Sequence, residues 1–190
     1  MSQDQISRSF FYQDSTELAP LLLGKLIQVG DVVVRILETE AYMPEDSACH
    51  AYKGRTKRNS PMFEVGGHLY VYLCYGLHQM LNIVGGEQGS PQAVLIRGGE
   101  VMQGEETVLQ RRKNLDLIGP GKLAQALGVD RSYSGEILYH RVHVWNAPLV
   151  SYTTHPRVGI DYALPKDRDA LWRFKASPMR PLGQRKKNVT

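Results

Sequence analysis

The sequence predicts a single α+β domain: a mostly antiparallel, curved β-sheet with flanking helices and a protruding β-hairpin. Three observations predict it. Apolar residues alternate with period two in VVVRILETEAY, HLYVYLCYG and QAVLIR, as half-buried strands require. Residues 14–23 and 119–127 instead carry helical spacing with start and stop signals. Gly30-Asp31, between KLIQV and VVVRILETEAY, has the chemistry of a tight hairpin turn.

Taken in order, the first helix is expected from Asp14 to about Leu23. Asp14 and Glu17 fit a capping pattern, Leu18, Leu21 and Leu22 form an apolar face, and Gly24 can close the helix. The hairpin follows. HLYVYLCYG, LNIVGG and QAVLIR supply further strands, and residues 100–113 are expected to be helical. The helix at 119–127 opens with GPGK and stops at Gly128. HRVHVWN, PRVGI and LWRFKA read as short closing strands. No repeat or low-complexity linker interrupts the chain, so one domain spans residues 1–190, with 184–190 as a flexible basic tail.

A chain of 190 residues, 42% apolar and 22% charged, can bury a real core. It has no apolar run of the roughly 20 residues a membrane span needs, and its start lacks a signal-peptide pattern. An intracellular protein is expected, cytoplasmic in a bacterium or nuclear in a eukaryote, with no membrane partner. Cys49 and Cys74 are far apart and read as reduced thiols. No histidine lies at a spacing that completes a zinc site with Cys49 and His50, so neither a metal nor another cofactor is expected.

The net charge of +4 is modest, but its distribution is uneven. Lys53, Arg55, Lys57 and Arg58 crowd a Gly-, Asn- and Pro-marked loop, and Arg185, Lys186 and Lys187 crowd the C-terminus. Flexible basic side chains on an open loop suit phosphates. Strict alternation along VVVRILETEAY places Val32, Val34, Ile36, Glu38, Glu40 and Tyr42 on one face. Carboxylates are thereby carried to the margin of the core, where desolvation raises a pKa. A pair of salt-bridged rim carboxylates is the plainer alternative. Tyr70 and Tyr72 share a face of their strand, whereas Tyr75 falls at the turn beside Gly76.

The motifs ETEAY, PED, His50, RN at 58–59, MF at 62–63, LYVY, YG and Asn82 resemble the 3-methyladenine (alkyladenine) DNA glycosylase family. The resemblance continues through AVLIR, ending at Arg97, GPGKLAQALG and RVGI. The spacer between Tyr42 and His50 is one residue shorter than in some members.

The resemblance implies a monofunctional hydrolase of N-glycosidic bonds that acts as a monomer on double-stranded DNA from the minor groove. It would excise alkylated or deaminated purines. Glu40 matches a water-directing carboxylate and Arg97 the residue holding water and carboxylate. Tyr42, His50 and Tyr72 match residues that sandwich and edge-read a flipped base, with Tyr70 as support. Asn82 matches the residue that crowds a guanine amino group. Tyr75, beside Gly76, matches a wedge that fills the gap left by the flipped nucleotide. The basic loop would touch phosphates, as could the helix start at GPGK, where a structural cap is an equal alternative. A non-catalytic groove binder and a hydrolase of free nucleosides remain the rival classes.

Overall fold

The Gly30-Asp31 turn folds β1 (Leu26–Val29) onto β2 (Val32–Tyr42), with Leu26 opposite Arg35. The computed structural model describes residues 4–177; the basic tail expected at 184–190 lies outside them. Helix α1 (Ser15–Leu21) precedes the hairpin. After it come β3 (Leu69–Cys74), β4 (His78–Val84), β5 (Ala93–Gln103), α2 (Glu105–Arg112) and β6 (Leu117–Ile118). Then follow α3 (Pro120–Leu127), β7 (Val142–Trp145), β8 (Tyr152–His155), α4 (Pro165–Arg168) and β9 (Arg173–Ala176).

The strands run in the order β3-β4-β5-β2-β1-β7, and every pairing is antiparallel. One edge of β2 is shared: its first half pairs with β1, and Glu38, Thr39 and Glu40 pair with β9. The result is the expected α+β architecture, a curled half-barrel sheet with four α-helices among the described residues.

Several local expectations are corrected. Residues 100–103 continue β5 rather than start a helix, because pairing with Val33, Val34 and Arg35 extends the ladder. The helix begins only after Gly104, whose φ of +80° breaks the strand. PRVGI is a loop, not a strand: Arg157 within it is buried against Asp46 instead of joining a ladder. Asp14 does not cap α1 with its side chain. Its Oδ1 accepts from Gln92 Nε2 at 3.0 Å, and Gln92 Oε1 accepts from the Ser15 amide at 2.6 Å. A residue distant in sequence thus satisfies the helix start.

The largest correction concerns β2. Its alternation breaks at paired bulges, with register shifts between Ile36 and Glu38 and again between Glu38 and Thr39. The core face therefore runs Val32, Val34, Ile36 and then Thr39, Ala41. On β5 it changes step as well, from Val101 and Gly99 to Ile96 and Val94, with Arg97 as the extra residue. Glu38, Glu40 and Tyr42 do not continue the core face; they project from the opposite one. Gly99 is required at this crossing, since a Cβ there would lie 2.3 Å from Val34 Cγ1. Helices α1 and α3 cover the core face. On the other face, a second apolar cluster of Cys49, Ala51, Met62, Tyr70, Val84 and Ala93 leaves a pocket.

Candidate active site

Four strands build the pocket floor in one cross-strand row: Tyr70 opposite Asn82, Asn82 opposite Leu95, Leu95 opposite Glu40. One step to one side lies Tyr72 opposite Met80, and one step to the other lies Ala93 opposite Tyr42. The segment after β2 and the loop holding Val158, Gly159, Ile160 and Tyr162 form the walls of a cavity of about 400 Å³. Tyr42, His50, Tyr72, Asn82, Arg97, Arg58 and Tyr75 all line it.

Glu40 lies beneath this floor, with none of its side chain exposed. Its Oε1 accepts from the Val158 amide at 2.9 Å, and its Oε2 accepts from the Tyr42 hydroxyl at 2.9 Å. Arg97 Nη1 approaches Oε2 at 3.3 Å. Burial raises the pKa of Glu40, opposed by Arg97, the Val158 amide, the Tyr42 hydroxyl and Arg157. Desolvation wins because it acts on the whole carboxylate, while each partner satisfies only part of it. Burial, reinforced by the charge of Glu40, holds Tyr42 well above the usual phenol range, so it stays a donor.

His50 and Tyr72 meet edge to face, with ring centroids 4.5 Å apart. His50 Nδ1 lies 2.8 Å from the Tyr70 hydroxyl. Burial and then the Arg58 charge lower the His50 pKa, which favours a neutral imidazole at pH 7. Tyr70 is buried, and its phenol is pushed up to about 12, chiefly by burial; it packs behind Tyr72 as a support. Asn82 Nδ2 donates to Tyr70 O at 3.0 Å and to Met80 O at 3.4 Å, which fixes the amide plane at the pocket edge.

Tyr75 is 87% exposed at the rim. It takes a φ of +50° and Gly76 a φ of +71°, in a turn closed by the Leu77 amide on Cys74 O at 3.1 Å. A bulky residue in the left-handed region is strained, and such strain concentrates at functional positions.

The basic loop is less free than its composition suggests. Asn59 pins it through Nδ2 to His50 O at 2.9 Å and Gly54 O at 3.0 Å. Arg55 is drawn to Glu64 at 3.3 Å and over the Phe63 ring. Arg58 lies over Tyr72, 5.2 Å from its centroid, and so belongs to the pocket wall. Lys53 and Lys57 are exposed. At the GPGK start, Pro120 also reaches the pocket lining. Cys49 and Cys74 are free thiols, and burial pushes that of Cys49 up to about 11, which makes it a poor nucleophile.

Sequence reasoning missed what stands behind Tyr42. Arg157 and Asp46 form a fully buried ion pair, and the Arg157 guanidinium lies 4.7 Å from the Tyr42 ring centroid. Arg157 also donates to Ala41 O at 2.9 Å and Asp167 O at 2.9 Å, which seats the loop that brings Val158 to Glu40. The RVGI and PED motifs contained both residues, but an arginine in an apolar string gives no sign of its partner.

A family model described as methylpurine-DNA glycosylase matches residues 9–179. A protein of Arabidopsis thaliana named DNA-3-methyladenine glycosylase is 49% identical over 174 residues, covering 87% of this chain and 68% of the relative. Proteins provisionally named 3-methyladenine DNA glycosylase are 42% identical in Nitrosococcus oceani, covering 90% of this chain and 89% of the relative, and 43% identical in Methanocella arvoryzae, covering 91% and 94%. With the match running over nearly its whole length and nearly half its residues shared with a plant relative, the chain belongs to the methylpurine-DNA glycosylase family.

Proposed function

We propose that this DNA-repair glycosylase flips a damaged purine out of duplex DNA into the aromatic pocket and hydrolyses its N-glycosidic bond, leaving an abasic site. The substrate class is 3-methyladenine, 7-methylguanine, hypoxanthine and ethenoadenine. The observation that carries this is Glu40, a buried carboxylate held under a base-sized aromatic pocket by Arg97, Tyr42 and the Val158 amide.

Cleavage develops positive charge on the sugar, so a fixed anion close by stabilises the transition state. Glu40 Oε1 accepts one protein bond and keeps a lone pair for a water entering beside Arg97 and Val158. Water oxygen bonds to the anomeric carbon, its proton passes to Glu40, and the base departs with the bonding electrons. An N-alkylated purine leaves neutral; hypoxanthine and ethenoadenine must acquire a proton. The raised pKa makes Glu40 a stronger base than a solvated carboxylate. Among the described residues no lysine lines the pocket, so release is by water rather than through an amine adduct.

Aromatic faces of Tyr42 and Tyr72 suit a flat purine, and attract a cationic one by ~0.5–2 kcal/mol per contact. Tyr75 would enter the minor groove and fill the vacated stack, while Lys53, Lys57 and the rest of the basic loop meet phosphates. The protein would act as a monomer. The test is incubation with duplexes carrying one hypoxanthine or ethenoadenine, scoring free base. Duplex binding without release would favour the groove-binding alternative.

A further inference from the structure

A closed ring of bonds surrounds the carboxylate. Arg97 Nη1 contacts Glu40 Oε2 at 3.3 Å, and Arg97 Nε contacts Glu38 Oε1 at 3.4 Å. The same Glu38 oxygen accepts from Arg173 Nη1 at 3.0 Å. Arg173 Nε donates to Pro156 O at 2.8 Å, and two residues on, the Val158 amide returns to Glu40 Oε1 at 2.9 Å. Glu38 is therefore the node between two guanidiniums, and its side chain is nearly buried.

The backbone explains why this node exists. The paired bulges put Glu38 on the pocket face beside Glu40. Arg173, directly opposite Glu40 on β9, then reaches diagonally to Glu38. One arginine aims a guanidinium at the carboxylate; the other anchors the loop that supplies its amide donor. Without Glu38, Arg97 loses one of its two carboxylates and Arg173 keeps only its backbone partner.

We propose that Glu38 and Arg173 are positioning residues for the reaction, holding Arg97 and the Val158 amide at the distances that orient Glu40. Glu38 also shares the charge of Arg97, which would otherwise fall on Glu40 alone. The charged and titratable groups around Glu40 are Arg97 from β5, Arg173 from β9, Tyr42 from β2, Tyr72 from β3 and Arg157 from the loop. Against that set, removing the Glu38 charge leaves more net positive potential at Glu40 and makes it ionise at lower pH. This inference rests on Glu40 as the water-directing carboxylate.

Glu38→Gln keeps the shape and removes the charge. Single-turnover release from one hypoxanthine duplex, followed against pH, is expected to fall about tenfold at neutral pH through misplacement. Its acid limb is expected to move down by about half a pH unit or more. Any titration of the substrate is common to both proteins and cancels. Arg173→Lys keeps the charge but cannot serve Pro156 O and Glu38 together, so it slows release without moving the limb. A Glu38→Gln protein with the wild-type acid limb, or Arg173→Lys with the wild-type rate, overturns the proposal. If Glu38→Gln fails to fold, Arg173→Lys decides alone. Glu40→Gln on the same duplex separates the two levels: if it still releases base, the underlying assignment of Glu40 has failed instead.

Discussion

Glu40 and Tyr42 stand two residues apart on one strand, and the Tyr42 hydroxyl donates to the Glu40 carboxylate at 2.9 Å while its ring lines the pocket. A single strand thus supplies both a pocket wall and the buried carboxylate behind it, and the pleat sets the distance between them.

Glu40→Gln is expected to leave lesion-duplex binding nearly intact and to lower base release by roughly 10²–10⁴-fold, the range for loss of a general base. In the wild type, release should fall on the acid side as Glu40 takes its proton, at a pH above the ordinary carboxylate range. Stability runs the other way. A carboxyl whose pKa is higher folded than unfolded stabilises the fold below the unfolded pKa, and that contribution is lost as pH rises through the folded one. At neutral pH the substitution therefore should not lower the melting temperature. Release within a few-fold of wild type would rule out the assignment.

Asn82→Ser should relax discrimination against 2-amino purines if, as proposed, the amide pinned at the pocket edge by Tyr70 O crowds them out. Loss of the buried hydrogen bond should cost about 1 kcal/mol of stability. Competition between hypoxanthine and guanine-derived lesions checks it; unchanged selectivity would show that Asn82 does not border the base.

Tyr75→Ser should weaken the flipped state by about 1–3 kcal/mol, the value of a stacked aromatic. Excision should fall most from stable pairs and least from mispaired or single-stranded lesions. Because Tyr75 is strained at φ +50° and barely buried, Tyr75→Gly should match or exceed the wild-type melting temperature while losing the same activity. A melting temperature several degrees lower, with equal losses on every substrate, would make Tyr75 a structural residue instead.

Arg157→Met should destabilise the fold by about 3–5 kcal/mol, because it leaves the Asp46 carboxylate buried without its partner. The double variant Asp46→Asn with Arg157→Met should recover part of this. Urea unfolding of the single and double variants tests it, and additive losses would show that the pair is not coupled.

The legible parts of the fold were those written in local patterns. The Gly30-Asp31 turn, the alternating strands and the helix closed by Gly128 appear where their signals stand. The pocket residues were named from motifs, and all of Tyr42, His50, Tyr72, Asn82 and Arg97 converge on one cavity. What local pattern could not carry was set by tertiary pairing. Glu100 to Gln103 have helical neighbours in sequence but strand partners in space. Strict alternation placed Glu38 and Glu40 on the core side because a bulge leaves no mark in the order of residues. Arg157 gave no signal until Asp46, 111 residues away, met it.

The two compensating bulges also make the site intolerant of length changes. One extra residue on β2, Leu37, and one on β5, Arg97, flank the Glu38–Gly98 pair, so both strands change phase together. Deleting a single residue past the bulge, such as Thr39, would move every later residue of β2 by one step, driving Glu40 into the apolar layer under α1 and presenting Ala41 to the pocket. Sequence drift past the crossing is therefore confined to substitution: a one-residue gap in β2 after Glu38 would turn its pocket face toward the core.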